Sequence, residues 1–352
     1  MSTVPPSFSA LVALFFAFFV AFGTIVEAAP QRQNGNGRGR NRNGGNRNNN
    51  GNTNAQLTSQ ERAAQIPEGI SEATDGSTIL DTTVTVNGLD LRFKISGPAD
   101  QFTTASGVDG ATQAPGTEGT LGLNVLLHGD GGQSFFDFPN QAVQQNLAGV
   151  VVLAPDPNLF WGGGSGLDRT DGVAHAQAVN DLVLDVLPQV MAFNSSNVFF
   201  TGVSGGSLLL SGFFIPQHMT NFLGNGVLLN CAAMAPQVDF VNGDAVAQST
   251  RIHFQSTTGE LELLQDSIPQ SIVAYEQLAA DAGLSNAQIN ALQTVDNSPN
   301  GGHCEFDEQG FVSGIQLMAD NFATIMQGGN GNVNGIGNVL NGVVGNENLV
   351  FA

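Results

Sequence analysis

Between residues 122 and 258 the chain repeats one local pattern, a short apolar run followed by a longer stretch of helical character. The runs are GLNVLLHG (122–129), GVVVLAP (149–155), FFTGVS (199–204) and GVLLNC (226–231), and RIHFQSTT (251–258) continues the series. A strand with one face in water alternates apolar and polar residues. Nearly continuous apolar runs need cover on both faces. The stretches between them read as helix, notably DGVAHAQAVNDLVLDVLPQ (171–189), which Pro188 closes, with further helices expected after Ser204, at about 268–282 and near 311–326. Buried strands alternating with helices leave few architectures open: an α/β fold with a mainly parallel central sheet, helices on both faces and right-handed crossovers. Ahead of this region LDTTVTVNGLDLRFKIS (80–96) alternates β-branched and polar residues around Asn87-Gly88. That pattern predicts an antiparallel hairpin at one edge of the sheet.

The ends of the chain differ in kind. Residues 10–26, ALVALFFAFFVAFGTIV, carry no charge and run into Val26-Glu27-Ala28, a small-residue pattern open to signal peptidase. This predicts a signal peptide over 1–28 and a secreted, extracellular protein, although no Lys or Arg precedes the apolar run; an uncleaved anchor is the other reading. Residues 31–54 consist almost wholly of Asn, Gly and Arg with nothing to bury. A disordered arm is therefore expected over 29–64, a folded domain over 65–327 and a Gly/Asn-rich tail draped on the surface over 328–352. Residues 55–352 hold five basic against 29 acidic residues. Such a surface repels phosphate backbones and anionic lipid, which argues against nucleic acid as a partner of the folded domain and against a membrane once the leader is cut. Two cysteines, Cys231 and Cys304, in an exported chain predict a single disulfide. Asn194-Ser195-Ser196 is a glycosylation sequon.

Chemistry concentrates in three glycine-rich places. Gly202-Val203-Ser204-Gly205-Gly206 lies between a strand signal and a helix signal. A serine on so sharp a turn needs small neighbours, and its hydroxyl stands in the open at a helix N-terminus. His128-Gly129-Asp130-Gly131-Gly132 follows a strand and can turn backbone amides towards a substrate. Acyl transfer passes through an oxyanion that needs two donors, each worth about 3–4 kcal/mol when removed. One is expected at Gly129 or Asp130 and the other at Gly205. Gly301-Gly302-His303-Cys304 supplies His303, an imidazole that can take the serine proton and return one to the leaving group.

A third member should orient that imidazole. The candidates after RIHFQSTT are Glu260, Glu262 and Asp266. Counting forward from Gly259 selects Glu262, which is preferred; counting back from Pro269 selects Asp266. Of the other histidines, His128 is expected to order its glycine loop, His175 and His218 to pack in helices, and His253 to point from a strand. No short His/Asp/Glu spacing repeats, so no metal and no cofactor is expected.

In this order the strand, the HGxGG loop, the GxSxG elbow, the acid after a later strand and the final GH loop resemble the α/β-hydrolase superfamily over about residues 80–326. Within it the chain is similar to secreted microbial esterases of the feruloyl esterase, acetylxylan esterase and polyhydroxyalkanoate depolymerase group. The resemblance implies the α/β-hydrolase fold with about eight strands, a Ser-acid-His triad, and a monomeric, cofactor-free carboxylic ester hydrolase acting on plant cell-wall or polyester esters. The chain departs from the pattern at Val203, where some feruloyl esterases carry a cysteine, and in its acid, which lacks an Asp-x-x-Val-Pro setting. It also has an insertion, PNLFWGGGSGLDRTDG (157–172). Together with FFDFP (135–139) the insertion is expected to overhang Ser204, with Phe135, Phe136, Phe138, Phe160 and Trp161 forming an apolar pocket. The rival readings are a non-catalytic binding or cell-wall protein on the same scaffold, and a serine peptidase.

Overall fold

A computed structural model describes residues 57–73, 75–137, 143–144, 146–309, 321–327, 329, 331–337 and 339–352. The expected signal peptide, most of the arm, Phe138 and most of the expected helix at 311–326 lie outside the described residues. The chain divides into Met1–Thr58 and Ser59–Ala352, and the sheet and helices that follow belong to the second unit.

The apolar runs become the middle of one sheet. Its strands are β1 (Gly69–Glu72), β2 (Thr78–Val86), β3 (Leu89–Gly97), β4 (Gly122–Leu127), β5 (Val143–Gln144), β6 (Leu147–Val152), β7 (Val198–Val203), β8 (Gly226–Asn230), β9 (Arg251–Gln255), β10 (Gln293–Asp296) and β11 (Asn341–Gly342). Ten of them follow one another in the order β1-β2-β3-β6-β4-β7-β8-β9-β10-β11, with β5 paired to β6. From β6 to β10 all neighbours along this order are parallel. The leading strands β1–β3 and the terminal β11 are antiparallel. The continuous order holds ten strands where about eight are expected: β1, β10 and β11 lie outside the runs read from the sequence. The predicted hairpin is β2–β3, and its turn residues Asn87 and Gly88 both take positive φ, as the twist of a two-residue hairpin requires.

The helices are α1 (Ser59–Ala63), α2 (Gln133–Asp137), α3 (Gly172–Asp181), α4 (Leu187–Val190), α5 (Gly205–Leu209), α6 (Ile215–His218), α7 (Gly243–Ser249), α8 (Glu262–Asp281), α9 (Asn286–Leu292) and α10 (Phe322–Met326). Wide π turns at Leu182–Val186 and Leu210–Phe214 join α3 to α4 and α5 to α6. In each the residue before a proline donates five residues back, Leu187 to Leu182 and Ile215 to Leu210. Pro188 and Pro216 have no N–H to offer, and their rings would strike the carbonyl four residues back in a regular turn. Widening the turn removes that clash.

Every residue of β7 and β8 is buried, because successive side chains serve two separate cores. Val125, Leu127 and Phe200 join one, while Leu126, Phe199 and Val203 join the other. Phe200 meets Phe214 and Phe222 at ring-centroid distances of 4.5 and 5.0 Å, and Phe199 meets Phe322 at 5.0 Å.

Two expected boundaries move. Residues 59–64 are not part of a disordered arm. Ala63 is buried, its carbonyl accepts from Arg92 Nη1 at 2.9 Å, and the Gln60 amide donates to Pro157. Arg92 is itself held by the buried carboxylate of Asp81 at 2.7 and 2.8 Å, so the arginine ties α1 to the edge hairpin. The tail does not simply drape over the surface either. β11 adds to the sheet, Val333, Ile336 and Val343 are buried, and the Ala352 amide donates to Thr258. Its Gly/Asn composition concealed a few well-spaced aliphatic residues, and a few anchors suffice when each enters an existing core. Among the described residues no helix is long and apolar enough to cross a membrane.

Candidate active site

Ser204 sits at the C-terminal end of β7 with φ 48° and ψ −112°, a sparsely populated region for a side chain with a Cβ. Such a conformation costs about 1–3 kcal/mol and persists only where its surroundings enforce it. Here Asn230, at the end of the neighbouring strand β8, does so. Its carbonyl accepts from the Ser204 amide and the Ser207 hydroxyl, both at 2.9 Å, and its Nδ2 donates to Gly202 at 3.0 Å. The glycines of the motif are imposed by close approach. A Cβ at Gly202 would lie 2.6 Å from Ser207 Cα, and one at Gly206 2.1 Å from the Leu127 carbonyl oxygen.

His303 Nε2 lies 2.8 Å from Ser204 Oγ. The serine hydroxyl donates to it, so the ring proton belongs on Nδ1, which contacts Glu260 Oε1. Glu260 is almost fully buried, and its Oε1 also accepts from the Leu261 amide at 2.8 Å. The two loops are tied to each other: Gly259 donates to Gly301 and Thr257 Oγ1 to Gly302, both at 3.0 Å. A disulfide joins Cys304 to Cys231 at the end of β8.

The acid against the imidazole is thus Glu260, not Glu262 or Asp266. Glu262 opens α8 and Asp266 follows one turn later, both exposed. The loop after β9 turns towards His303 immediately, and Gly259 packs so closely on it that a Cβ there would lie 2.5 Å from the Gly301 carbonyl oxygen. By Glu262 the chain has already entered the helix, where Glu262 and Asp266 are exposed to water. The readable signal was proximity to the strand end, which favours the first acid after it.

The loop after β4 is set by His128. This ring is fully buried; its Nε2 accepts from the Ala154 amide at 2.9 Å, so Nδ1 carries the proton and donates to the Gly129 carbonyl at 2.6 Å. Gly132 donates to the same carbonyl at 3.0 Å. In a trans peptide the N–H opposes the C=O. Anchoring the Gly129 carbonyl therefore turns the Asp130 N–H the other way, and Asp130 N lies 3.3 Å from where a Cβ on Gly205 would stand. Of the two expected donors on this loop, the structure brings Asp130 beside Gly205, the first residue of α5.

Burial pushes His128 from 6.5 down to about 4, and it lowers His175 and His218 in the same direction. Between those values the unfolded chain binds a proton that the folded chain does not. This contribution to stability is complete above about pH 6.5 and falls away as the pH drops towards 4, by up to about 3 kcal/mol for His128. The loss in urea midpoint between about pH 7 and pH 4.5 is expected to be smaller in His128→Gln than in the wild type. Equal losses in the two proteins would refute this account.

The aromatic residues near the loop pack beneath it. Trp161 and Phe135 are fully buried. Trp161 lies 5.5 Å from the His128 ring and 6.1 Å from that of His175, which accepts from the Gly162 amide at 2.9 Å. Phe135 lies under Lys94 Nζ at 4.6 Å and meets Phe136 edge-on at 5.4 Å. Of the five rings expected to form a pocket, Phe135 and Trp161 are instead spent in packing, Phe136 and Phe160 are half-buried, and Phe138 lies outside the described residues. His218 ends α6 and His253 hydrogen-bonds Thr294 and Gln255 within the sheet. Asn194 is half-buried just ahead of β7, at the strand end opposite Ser204, and its Oδ1 accepts from the Ser196 amide at 3.0 Å. Among the described residues, the one group of potential ligands within 4.8 Å of one another is Cys231, His303 and Cys304, and both of its sulfurs are spent in the disulfide.

No family model and no curated protein matches the chain. Solved structures do. A feruloyl esterase module from Clostridium thermocellum in complex with sinapinate is 10% identical with a TM-score of 0.42, covering 70% of this chain and 89% of its own. An ester hydrolase from the Lake Arreo metagenome is 12% identical with a TM-score of 0.42, covering 75% and 85%. A phospholipase/carboxylesterase from Dyadobacter fermentans is 15% identical with a TM-score of 0.39, covering 59% and 91%. A parallel sheet that presents an elbow serine, then an acid, then a histidine from the ends of successive strands, with a glycine loop facing the serine, has the α/β-hydrolase fold, and that is the fold of this chain.

Proposed function

We propose that the chain is a carboxylic ester hydrolase working through an acyl-enzyme. The observation that carries this reading is the continuous hydrogen-bonded line from Ser204 through His303 to Glu260, with Asp130 packed against Gly205 at its Ser204 end. Ser204 Oγ attacks the ester carbonyl carbon while His303 Nε2 takes its proton. The resulting oxyanion is held by the Gly205 and Asp130 N–H groups. His303 returns the proton to the departing alcohol oxygen, then deprotonates a water that attacks the acyl carbon, and the acid is released with Ser204 restored. Glu260 keeps the ring in its working tautomer and stabilises the imidazolium. No step asks for a cofactor. We further propose export, with sugar on Asn194, and a cell-wall or polyester ester as substrate.

A fluorophosphonate probe applied to the full chain tests the reading by intact mass. One adduct is expected on the wild type and none on Ser204→Ala or His303→Ala. A folded wild type that takes up no probe would reject the enzyme reading in favour of a binding or cell-wall protein.

A further inference from the structure

The carboxylate of Asp130 stands where an ester hydrolase can least afford a negative charge. A Cβ on Gly205 would lie 2.0 Å from Asp130 Oδ1, so this side chain presses on the residue whose amide faces the developing oxyanion. Arg169 meets it in a two-pronged ion pair, Nη1 to Oδ1 at 2.9 Å and Nη2 to Oδ2 at 2.8 Å, and Nη1 also donates to the Trp161 carbonyl at 3.1 Å. The guanidinium side chain is 2% exposed and that of Asp130 26%. Nε of Arg169 is buried without a partner, so the pair is maintained against a cost. The chain spends on it one of only five basic residues between 55 and 352.

The insertion at 157–172 carries that arginine. Glycines 162, 163, 164 and 166 all take positive φ. A Cβ on Gly164 would lie 2.0 Å from the Asp168 carbonyl oxygen, and one on Gly162 2.9 Å from Arg169 Cβ. Ser165 and Asp168 exchange backbone hydrogen bonds at 3.0 Å, and Asp171 donates to Gly162 at 2.7 Å. The loop is folded back on itself and pinned to His175, and Arg169 extends from it to Asp130.

We infer that Arg169 is a positioning residue for the oxyanion site: it cancels the Asp130 charge beside the developing oxyanion and locks the Asp130 side chain so that its backbone N–H stays aimed there. This rests on the ester-hydrolase reading above. A bidentate arginine suits both tasks, since a lysine would neutralise the charge without fixing the carboxylate plane.

The test is kinetic, on the full chain with an activated ester and with the fluorophosphonate probe. Arg169→Met is expected to lower kcat and the rate of probe labelling by about 10²-fold, the scale of losing one oxyanion donor, with KM changed less than about threefold. Adding Asp130→Asn to Arg169→Met removes the uncompensated charge and is expected to restore kcat by about tenfold or more. Arg169→Lys, which keeps the charge, is expected to lose only about tenfold and decides the matter if Arg169→Met does not fold. A probe-reactive wild type whose Arg169→Met variant keeps kcat within about threefold overturns this inference alone. So does a double variant no faster than Arg169→Met. A wild type that never labels overturns the ester-hydrolase reading itself and this inference with it.

Discussion

Glu260→Gln is expected to lower kcat on an activated ester by about 10⁴-fold, the scale seen when a triad acid is made neutral without changing its shape. Glutamine keeps the volume and the hydrogen-bonding reach. It cannot stabilise an imidazolium, and it can present its amide N–H to His303 Nδ1 and so favour the wrong tautomer. Glu262→Gln and Asp266→Asn are expected to stay within about twofold of the wild type, since both side chains are exposed at the start of α8. Steady-state kinetics of the three variants separates them. A large loss in Glu262→Gln or Asp266→Asn, with Glu260→Gln near wild type, would mean that another carboxylate serves His303.

Breaking the disulfide is expected to have the largest effect on stability. Cys231 and Cys304 are 73 residues apart, and closing a loop of that size restricts the unfolded chain by about 4 kcal/mol, which for a domain of this size lowers Tm by about 10 °C. The bridge also ties the loop of His303 to the end of β8. Cys304 follows His303 directly, and both half-cystines hold positive φ, 52° at Cys231 and 59° at Cys304. A backbone so constrained relaxes when the link is cut, and the imbrication of Gly301 on Gly259 relaxes with it. Cys231→Ser/Cys304→Ser should therefore lose kcat at temperatures where circular dichroism still reports a folded protein. Activity that persists unchanged until the variant melts would show that the bridge serves stability alone.

Much of this site could be read along the chain. The elbow serine was legible because Gly202, Ser204 and Gly206 stand between an apolar run and a helix, and the structure shows each glycine filling a space that admits no Cβ. His303 was legible from its place after the last buried strand, and the structure brings its ring to Ser204. The disulfide followed from there being two cysteines and no more. The anchoring role of His128 was legible as well, as a histidine placed ahead of the nucleophile in a glycine loop.

What remained hidden involves residues whose partners are distant in sequence. Three carboxylates lie between 260 and 266, and counting from Gly259 or from Pro269 passes over Glu260. The loop after β9 meets the loop after β10 so that Glu260 faces His303. Asp130 and Arg169 are 39 residues apart and share no motif, yet the folded insertion sets them face to face. Phe135 and Trp161 look like pocket residues by composition and prove to be packing, because a loop of glycines needs a rigid bed. Sequence by itself determined the parallel middle of the sheet, its leading hairpin, its helical cover and the chemical types at the site, since periodicity, glycine sterics and strand burial are local properties. The tertiary structure alone decided which acid, which amide and which arginine lie together, since those choices depend on distances of a few ångströms between loops that separate strands deliver.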